Sequence, residues 1–412
     1  MANRALNLTV ATLLLAGAGF AAAAERAPVK PPASEPYPVA SDTRLGGDEH
    51  QTRFVMDLTR KVDLRAFALA DPYRVVIDLP QVTFKLPANA GHAGRGLIKA
   101  FRFGLVMAGG SRIVFDLSKP VRIEKAFVLE PAEGQPARLV LDLVAIERDA
   151  FMRALALDKQ PLRIPPVRPA EPVNKGDTRP IVVLDPGHGG VDWGTQAKGV
   201  TEKGIVLDFA LILRDLLEKT GKYRVVMTRT DDSFVPLGER VQFARERQAA
   251  LFISIHADAL RKSEGEAQGA TVYTLSETAS DAEAARLAEN ENRADVIAGI
   301  DLSREPGDVA DILIDLAQRE TKTFSMHFAK NLVGELKNVA RLHKFPLKSA
   351  GFKVLKAPDV PSVLLELGYV SSAADLKLLT SPAWQTRTAA SIVQAVDTFF
   401  STRMAGSTAV RP

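Results

Sequence analysis

The stretch IVVLDPGHGG, Ile181 to Gly190, is the starting point for reading this chain. Ile181, Val182, Val183 and Leu184 form an apolar run with β-branched character, the pattern of a strand buried on both faces. Asp185-Pro186-Gly187 ends the run, and His188 follows in the turn with Gly189 and Gly190 behind it. Glycines at such a bend permit a tight turn and the close approach of another group. A lone histidine after a strand is more often structural than catalytic, so the surrounding chain has to decide whether His188 is different.

Downstream of this stretch, helical and strand patterns alternate. Glu202 to Lys219 places Ile205, Phe209, Ile212 and Leu216 on one face and stops at Gly221. A strand over Tyr223–Thr228, a helix over Leu237–Arg247 and a strand over Leu251–His256 follow. Ser362–Leu367 is a further apolar run, and Pro382–Phe400 reads as a closing helix. This order predicts an α/β domain over 181–402, with a mostly parallel sheet flanked by helices.

Upstream lies a linker over 155–180, with Pro161, Pro165, Pro166, Pro169 and Pro172, that reads as a semi-rigid tether. Residues 48–146 before it are self-similar. TRFVMDL (Thr52–Leu58) matches SRIVFDL (Ser111–Leu117), RVVIDLP (Arg74–Pro80) matches RLVLDLV (Arg138–Val144), and RAFAL (Arg65–Leu69) echoes AFVL (Ala126–Leu129). Each half reads as short alternating strands with turns at Asp71-Pro72 and Glu133-Gly134. Two such sheets stacked face to face predict a separate, small all-β domain, a duplicated β-sandwich, because one sheet alone cannot bury its apolar face. His50 and His92 are isolated there and read as solvated. The domain carries no catalytic constellation, which suits a binding module or a spacer.

The N-terminus reads as an address. Arg4, an apolar run from Leu13 to Phe20 and the alanines 21–24 make a Sec-type signal peptide cut after Ala24. The run is too short for a membrane anchor, and a single arginine excludes a twin-arginine signal. Residues 25–47, rich in Pro, Ala and charge, read as a flexible lead-in. The 412 residues carry a net charge of +4, or +3 without Arg4, too little to argue for nucleic acid. There is no cysteine, so disulfides and thiolate-bound metal are excluded in a chain destined for an oxidising compartment. No other segment is long and apolar enough to span a bilayer. The expectation is a monomer in the periplasm with no stable membrane insertion.

Three chemical candidates fall at the carboxyl ends of the expected strands: His188, His256 in SIHAD and Glu366 in LLELGY. In open α/β sheets ligands bind at that edge. A carboxylate inside an apolar strand needs a metal or cation as partner, and for Glu366 an ion pair to Arg240 or Arg229 is the plain alternative. Two imidazoles and one carboxylate with an open fourth position make a catalytic zinc site, and Glu202, fourteen residues past His188, could supply that carboxylate. Zinc would polarise a carbonyl and bring the pKa of its water toward ~7, and Glu366 could accept the proton.

Together, LDPGHGG (184–190), TEKG (201–204), TRTDD (228–232), LGERVQFA (237–244), FISIHAD (252–258) and PSVLLELGYVSS (361–372) resemble the zinc-dependent N-acetylmuramoyl-L-alanine amidases. The ordered set covers most of residues 180–402. The resemblance implies Zn2+ held by His188, Glu202 and His256, with Glu366 catalytic. It also implies cleavage of the amide between N-acetylmuramic acid and the L-alanine of the stem peptide, with peptidoglycan as the binding partner. The repeat resembles the AMIN domain, which in such enzymes binds peptidoglycan and directs localisation. Asp258 and Ser372 depart from the commonest pattern, which has asparagine at both positions; this bears on fine positioning, since neither is a ligand.

An insertion at about 277–320 lengthens the catalytic domain. Glu283 to Ala298 reads as one helix with Ala284, Leu287, Ala288, Ala294 and Ala298 on a stripe that also carries Glu291, whereas Glu289 points away. A second helix after Pro306-Gly307 carries Val309, Ile312, Leu313 and Leu316. The plain reading is packing, with Glu291 reaching to solvent. In cell-division members of the family a helix resembling this one covers the zinc and is displaced by a LytM-domain activator protein. By that resemblance Glu291 would be the blocking group, and Val309, Ile312, Leu313 and Leu316 the handle for the activator. A catalytically inactive wall-binding adaptor and a zinc peptidase acting within the stem peptide are the competing readings.

Overall fold

The computed structural model describes residues 37–87, 89–107, 109–132, 134–157, 176–259, 268–300 and 312–408, without the side chains of 107, 156–157, 312–319 and 403–408. The expected signal peptide, the first part of the lead-in, most of the linker and Val309 lie outside the described residues.

The β domain contains β1 (Val39–Gly47), β2 (Gln51–Leu58), β3 (Arg65–Leu69), β4 (Arg74–Pro80), β5 (Thr83–Phe84), β6 (Ile98–Met107), β7 (Gly110–Leu117), β8 (Val121–Leu129) and β9 (Ala137–Ala145). They form two sheets, in the order β5-β1-β2-β9-β8 and β3-β4-β7-β6. Each sheet draws strands from both halves of the repeat: β2 pairs antiparallel with β9, and β4 with β7. The halves therefore exchange strands instead of forming one sheet each. Phe54, Met56, Ile77, Phe115, Leu139 and Leu141 share one core between the sheets, each such side chain contributing about 1.5–3 kcal/mol by leaving water.

Two boundaries are corrected. The lead-in expected as far as Gly47 ends earlier, because Val39–Gly47 is a strand paired with β2. Its polar, half-exposed pattern hides it from a hydrophobicity reading, and its order comes from the ladder of its neighbour. The linker expected from residue 155 begins later. A helix, α1 (Arg148–Leu157), packs back on the sandwich through Phe151, whose ring meets Tyr73 edge-on at 5.3 Å.

The catalytic domain comprises β10 (Ile181–Pro186), β11 (Gln196–Ala197), β12 (Val200–Thr201), α2 (Glu202–Lys219), β13 (Arg224–Met227), α3 (Leu237–Glu246) and β14 (Leu251–His256). β15 (Ala270–Leu275), α4 (Ala282–Glu291), α5 (Ala294–Ile297), α6 (Ile312–Leu336), β16 (Leu342–Ala350), β17 (Ser362–Glu366), α7 (Ala373–Leu379) and α8 (Pro382–Thr408) complete it. The sheet order is β13-β10-β14-β17-β15-β16, with every described pairing parallel except β15 against β17. Both faces are covered, as a parallel sheet requires. Val182, Leu184, Ile253 and Leu365 pack with Phe209, Leu213, Phe328 and Phe399 on one side. Val183, Phe252 and Leu364 pack with Leu237, Leu287 and Phe352 on the other. No helix of the described residues is long and apolar enough to cross a membrane.

The helix expected over Glu283–Ala298 is broken into α4 and α5. At the break the side chain of Asn292 donates to the carbonyl of Gly351 (2.8 Å) and accepts from the amide of Lys353 (2.7 Å). An amide that binds backbone elsewhere competes with helix continuation.

Candidate metal centre

Parallel pairing brings the ends of β10, β14 and β17 to one edge, with His256 opposite Glu366 in register. His188 sits just past β10, in the left-handed region at φ 58°. A buried carboxylate anchors this turn. Asp185 accepts from Thr228 Oγ1 (2.6 Å), Ser254 Oγ (2.7 Å) and Arg240 Nη1 (2.7 Å). Burial works against its charge, but Arg240 and the two hydroxyls hold its pKa below the usual carboxylate value. Arg240 also donates to the carbonyls of Pro186 (2.9 Å) and His188 (2.8 Å), so one guanidinium clamps the loop. Gly187 has no substitute here, since a Cβ would lie 2.4 Å from Cε1 of His256.

Glu202 opens α2 and is fully buried. Its Oε1 lies 3.0 Å from His188 Nε2 and 3.3 Å from His256 Nδ1. The candidate ligand atoms of His188, Glu202 and His256 all lie within 4.8 Å of one another. Backbone amides hold the carboxylate, Ala257 N on Oε1 and Thr195 N on Oε2, each at 2.9 Å. His188 Nδ1 faces Asp192 Oδ2 at 2.9 Å. A proton on Nδ1 then leaves the Nε2 lone pair pointing inward, the orientation a metal-ligating histidine needs.

The fit to a metal rests on two orphaned atoms. His188 Nε2 and His256 Nδ1 are buried and have no hydrogen-bond partner. Two imidazole nitrogens and a carboxylate oxygen converging in a buried space require positive charge between them, and this donor set suits zinc. The same convergence draws protons. Burial alone would weaken the basicity of His188, but Glu202, Asp192 and Glu291 outweigh it and raise its pKa well above the ordinary imidazole value.

Glu366 is fully buried. Its Oε2 accepts from the amide of Asp258 at 3.0 Å, and its Oε1 has no partner. Burial first, then the charges of Asp258, Glu202 and Glu291, push its pKa well above the usual carboxylate range. The alternative ion pair is not formed. Arg240 is committed to Asp185 and the turn carbonyls, and Arg229 donates to the carbonyls of Pro186, Gly187, Lys203 and Asp231. Asp258 accepts from Thr195 Oγ1 at 3.0 Å, and burial with the charges of Glu202 and Glu291 brings its pKa to about 7. Ser372 caps α7, accepting from the amide of Asp375 at 3.3 Å.

Glu291 ends α4 with Oε2 3.2 Å from His256 Nδ1 and 3.7 Å from His188 Nε2. It is 8% exposed, so its carboxylate lies in the site and not in solvent, while Glu289 is exposed. Ile312, Leu313 and Leu316 fall in the first turns of α6, where side chains are not described. His50 and His92 are both exposed, as read, and the His92 ring lies 5.8 Å from that of Trp193. Sequence reasoning missed Asp192, read Asp185 only as the end of the strand, and gave Arg240 the wrong carboxylate. Asp185 was the findable one, a charge continuing an apolar strand.

A profile of the N-acetylmuramoyl-L-alanine amidase family (Amidase_3) matches residues 182–398, and one of the AMIN domain matches residues 42–145. The N-acetylmuramoyl-L-alanine amidase AmiC of Escherichia coli O6:H1 is 36% identical over 85% of this chain and 86% of its own length. AmiC of Neisseria meningitidis serogroup B is 33% identical over 89% of this chain and 91% of its own. AmiA of Escherichia coli K12 is 38% identical over 55% of this chain and 78% of its own.

Proposed function

The chain belongs to the N-acetylmuramoyl-L-alanine amidases, and on that footing we propose that it is a zinc-dependent enzyme of the periplasm, exported by a Sec-type signal peptide. It cleaves the amide between N-acetylmuramic acid and the L-alanine of the stem peptide, and so splits septal wall during division. The observation that carries the zinc is the pair of buried imidazole nitrogens, His188 Nε2 and His256 Nδ1, without hydrogen-bond partners beside Glu202. His188, Glu202 and His256 would hold the ion, which when bound supplies a Lewis acid for the scissile carbonyl and an acidified water. Asp192 sets the tautomer of His188, and the amides of Thr195 and Ala257 aim Glu202. Glu366 takes the proton of the attacking water and delivers it to the leaving nitrogen. Glu291 fills the space the substrate carbonyl and water need. A LytM-domain activator would displace it by engaging Val309, Ile312, Leu313 and Leu316, and the AMIN domain would hold the enzyme on peptidoglycan.

Purified sacculi treated with the enzyme are expected to release intact stem peptides with free L-alanine amino termini, identified by mass. Products cut inside the stem would make it a peptidase instead. Metal analysis should find one zinc per chain, with strong loss in His188→Ala and His256→Ala. Asp192→Asn should weaken zinc about 10–100-fold, because it removes only the partner that orients a ligand. Zinc uptake should release protons and weaken as pH falls, since the imidazole nitrogens must be free to bind it. Titration calorimetry in buffers of different ionisation enthalpy checks this, and heats independent of buffer would count against the site.

A further inference from the structure

The segment that carries Glu291 is held along most of its length by the catalytic domain. Lys348 pairs with Glu283 at 2.8 Å, Asn292 binds backbone at Gly351 and Lys353, and Asp295 accepts from the amide of Leu237 at 2.9 Å. Its carboxyl end is held by the other domain. α5 is a single turn, too short to be stable unaided, and the last carbonyls of a helix have no partner within it.

Two arginines of the β sandwich meet carbonyls at and just beyond this end. Arg74 Nη1 donates to Val296 O at 2.6 Å, and Arg112 Nη1 donates to Ala298 O at 3.0 Å and Gly299 O at 3.3 Å. The arginines lie on the paired strands β4 and β7, and each is gripped by a carboxylate across the ladder. Arg74 Nε donates to Asp116 Oδ1 at 2.8 Å, and Arg112 Nε to Asp78 Oδ1 at 2.6 Å. Both are almost fully buried, 6% and 9% exposed. Cationic groups at a helix carboxyl end also suit the helix dipole.

The packing agrees. Phe67, Val76 and Val114 form a small cluster apart from the sandwich core, with Val76 and Val114 fully buried. Gly299, at φ 72°, lies against it; a Cβ there would be 2.8 Å from Val76 Cγ2 and 3.4 Å from Val114 Cγ2. This outer face of the sheet β3-β4-β7-β6 is thus closed by the end of the segment.

We infer that the β domain is a latch on the blocking segment, with Arg74 and Arg112 as its catch. The inference rests on the reading of Glu291 as the blocking group. Docking of the sheet and closure of the site are then one coupled equilibrium. A wall ligand or protein that binds the undocked β domain more tightly opens the site, and displacement of the segment loosens the β domain in return. The β domain accordingly regulates turnover as well as location.

The test is hydrogen exchange, read by mass spectrometry, across residues 282–300 of the full-length, zinc-loaded chain. In the double variant Arg74→Gln, Arg112→Gln, exchange there should accelerate about tenfold or more, with a parallel rise in sacculus hydrolysis without activator. Arg53→Gln breaks the corresponding Arg–Asp pair on the other sheet, to Asp142 at 2.6 Å, and should leave that exchange unchanged. Gly299→Ala, which keeps both arginines and crowds Val76, should act like the double variant and serves if the latter does not fold. Wild-type exchange in every folded variant overturns the latch. Faster exchange without faster hydrolysis supports the latch and overturns the blocking role of Glu291.

Discussion

Glu366→Gln is expected to retain its zinc and lose turnover by a factor of about 100 to 10,000, the usual worth of a positioned general base. The side chain is fully buried at the end of β17, and its shape is set by the strand. Glutamine keeps that shape and still offers an oxygen to the amide of Asp258, which Glu366 Oε2 meets at 3.0 Å. What it loses is the ability to take a proton at the oxygen that has no partner, Oε1. The loss should appear in kcat with KM little changed, because the proton is transferred only in the transition state. Metal content and circular dichroism should match wild type. Full turnover with zinc bound would remove Glu366 from the mechanism.

Glu291→Ala is expected to raise hydrolysis without activator by about tenfold or more, the scale on which removing a differential contact shifts a closed-to-open equilibrium. On the proposed reading, this buried carboxylate, 3.2 and 3.7 Å from the two imidazole nitrogens, competes for the position that substrate and water must reach. Burial raises its pKa, and the nearby imidazoles oppose the rise. Glu291→Gln keeps the volume and drops the charge, and should give most of the same gain if the block is ligation and little of it if the block is steric. Dye release from labelled sacculi at matched zinc occupancy measures both. Equal basal rates in Glu291→Ala and wild type would remove Glu291 as the gate, and a wild-type enzyme fully active alone would remove autoinhibition.

The local patterns carried the catalytic domain far. Glu202–Lys219 and Leu251–His256 are observed with the bounds read from periodicity, because an amphipathic helix and a run buried on both faces each announce their partners through their own residues. His188, His256 and Glu366 were legible at strand ends for the same reason, and the stripe through Leu287, Ala288 and Glu291 is buried as a stripe. Periodicity could not show the break at Asn292, which depends on Gly351 and Lys353 far along the chain.

Sequence by itself determined the alternation of strand and helix, the duplication of the β unit and the order of the chemical motifs, each of which is written in short stretches that can be read without knowing what they pack against. Only the tertiary structure decided that the two halves of the repeat exchange strands. RVVIDLP and RLVLDLV are near copies, so their local energetics favour either sheet alike and the pairing is settled by closure of the common core. It alone also assigned Asp192 to His188, Arg240 to the turn that presents it, and Arg74 and Arg112 to the end of the segment bearing Glu291. Along a strand, Arg74 and Asp78 read as the solvated face of a sheet. The second role of Arg74 and Arg112 exists because the fold brings to them backbone carbonyls 222 and 186 residues away along the chain, and buried carbonyls take up such donors.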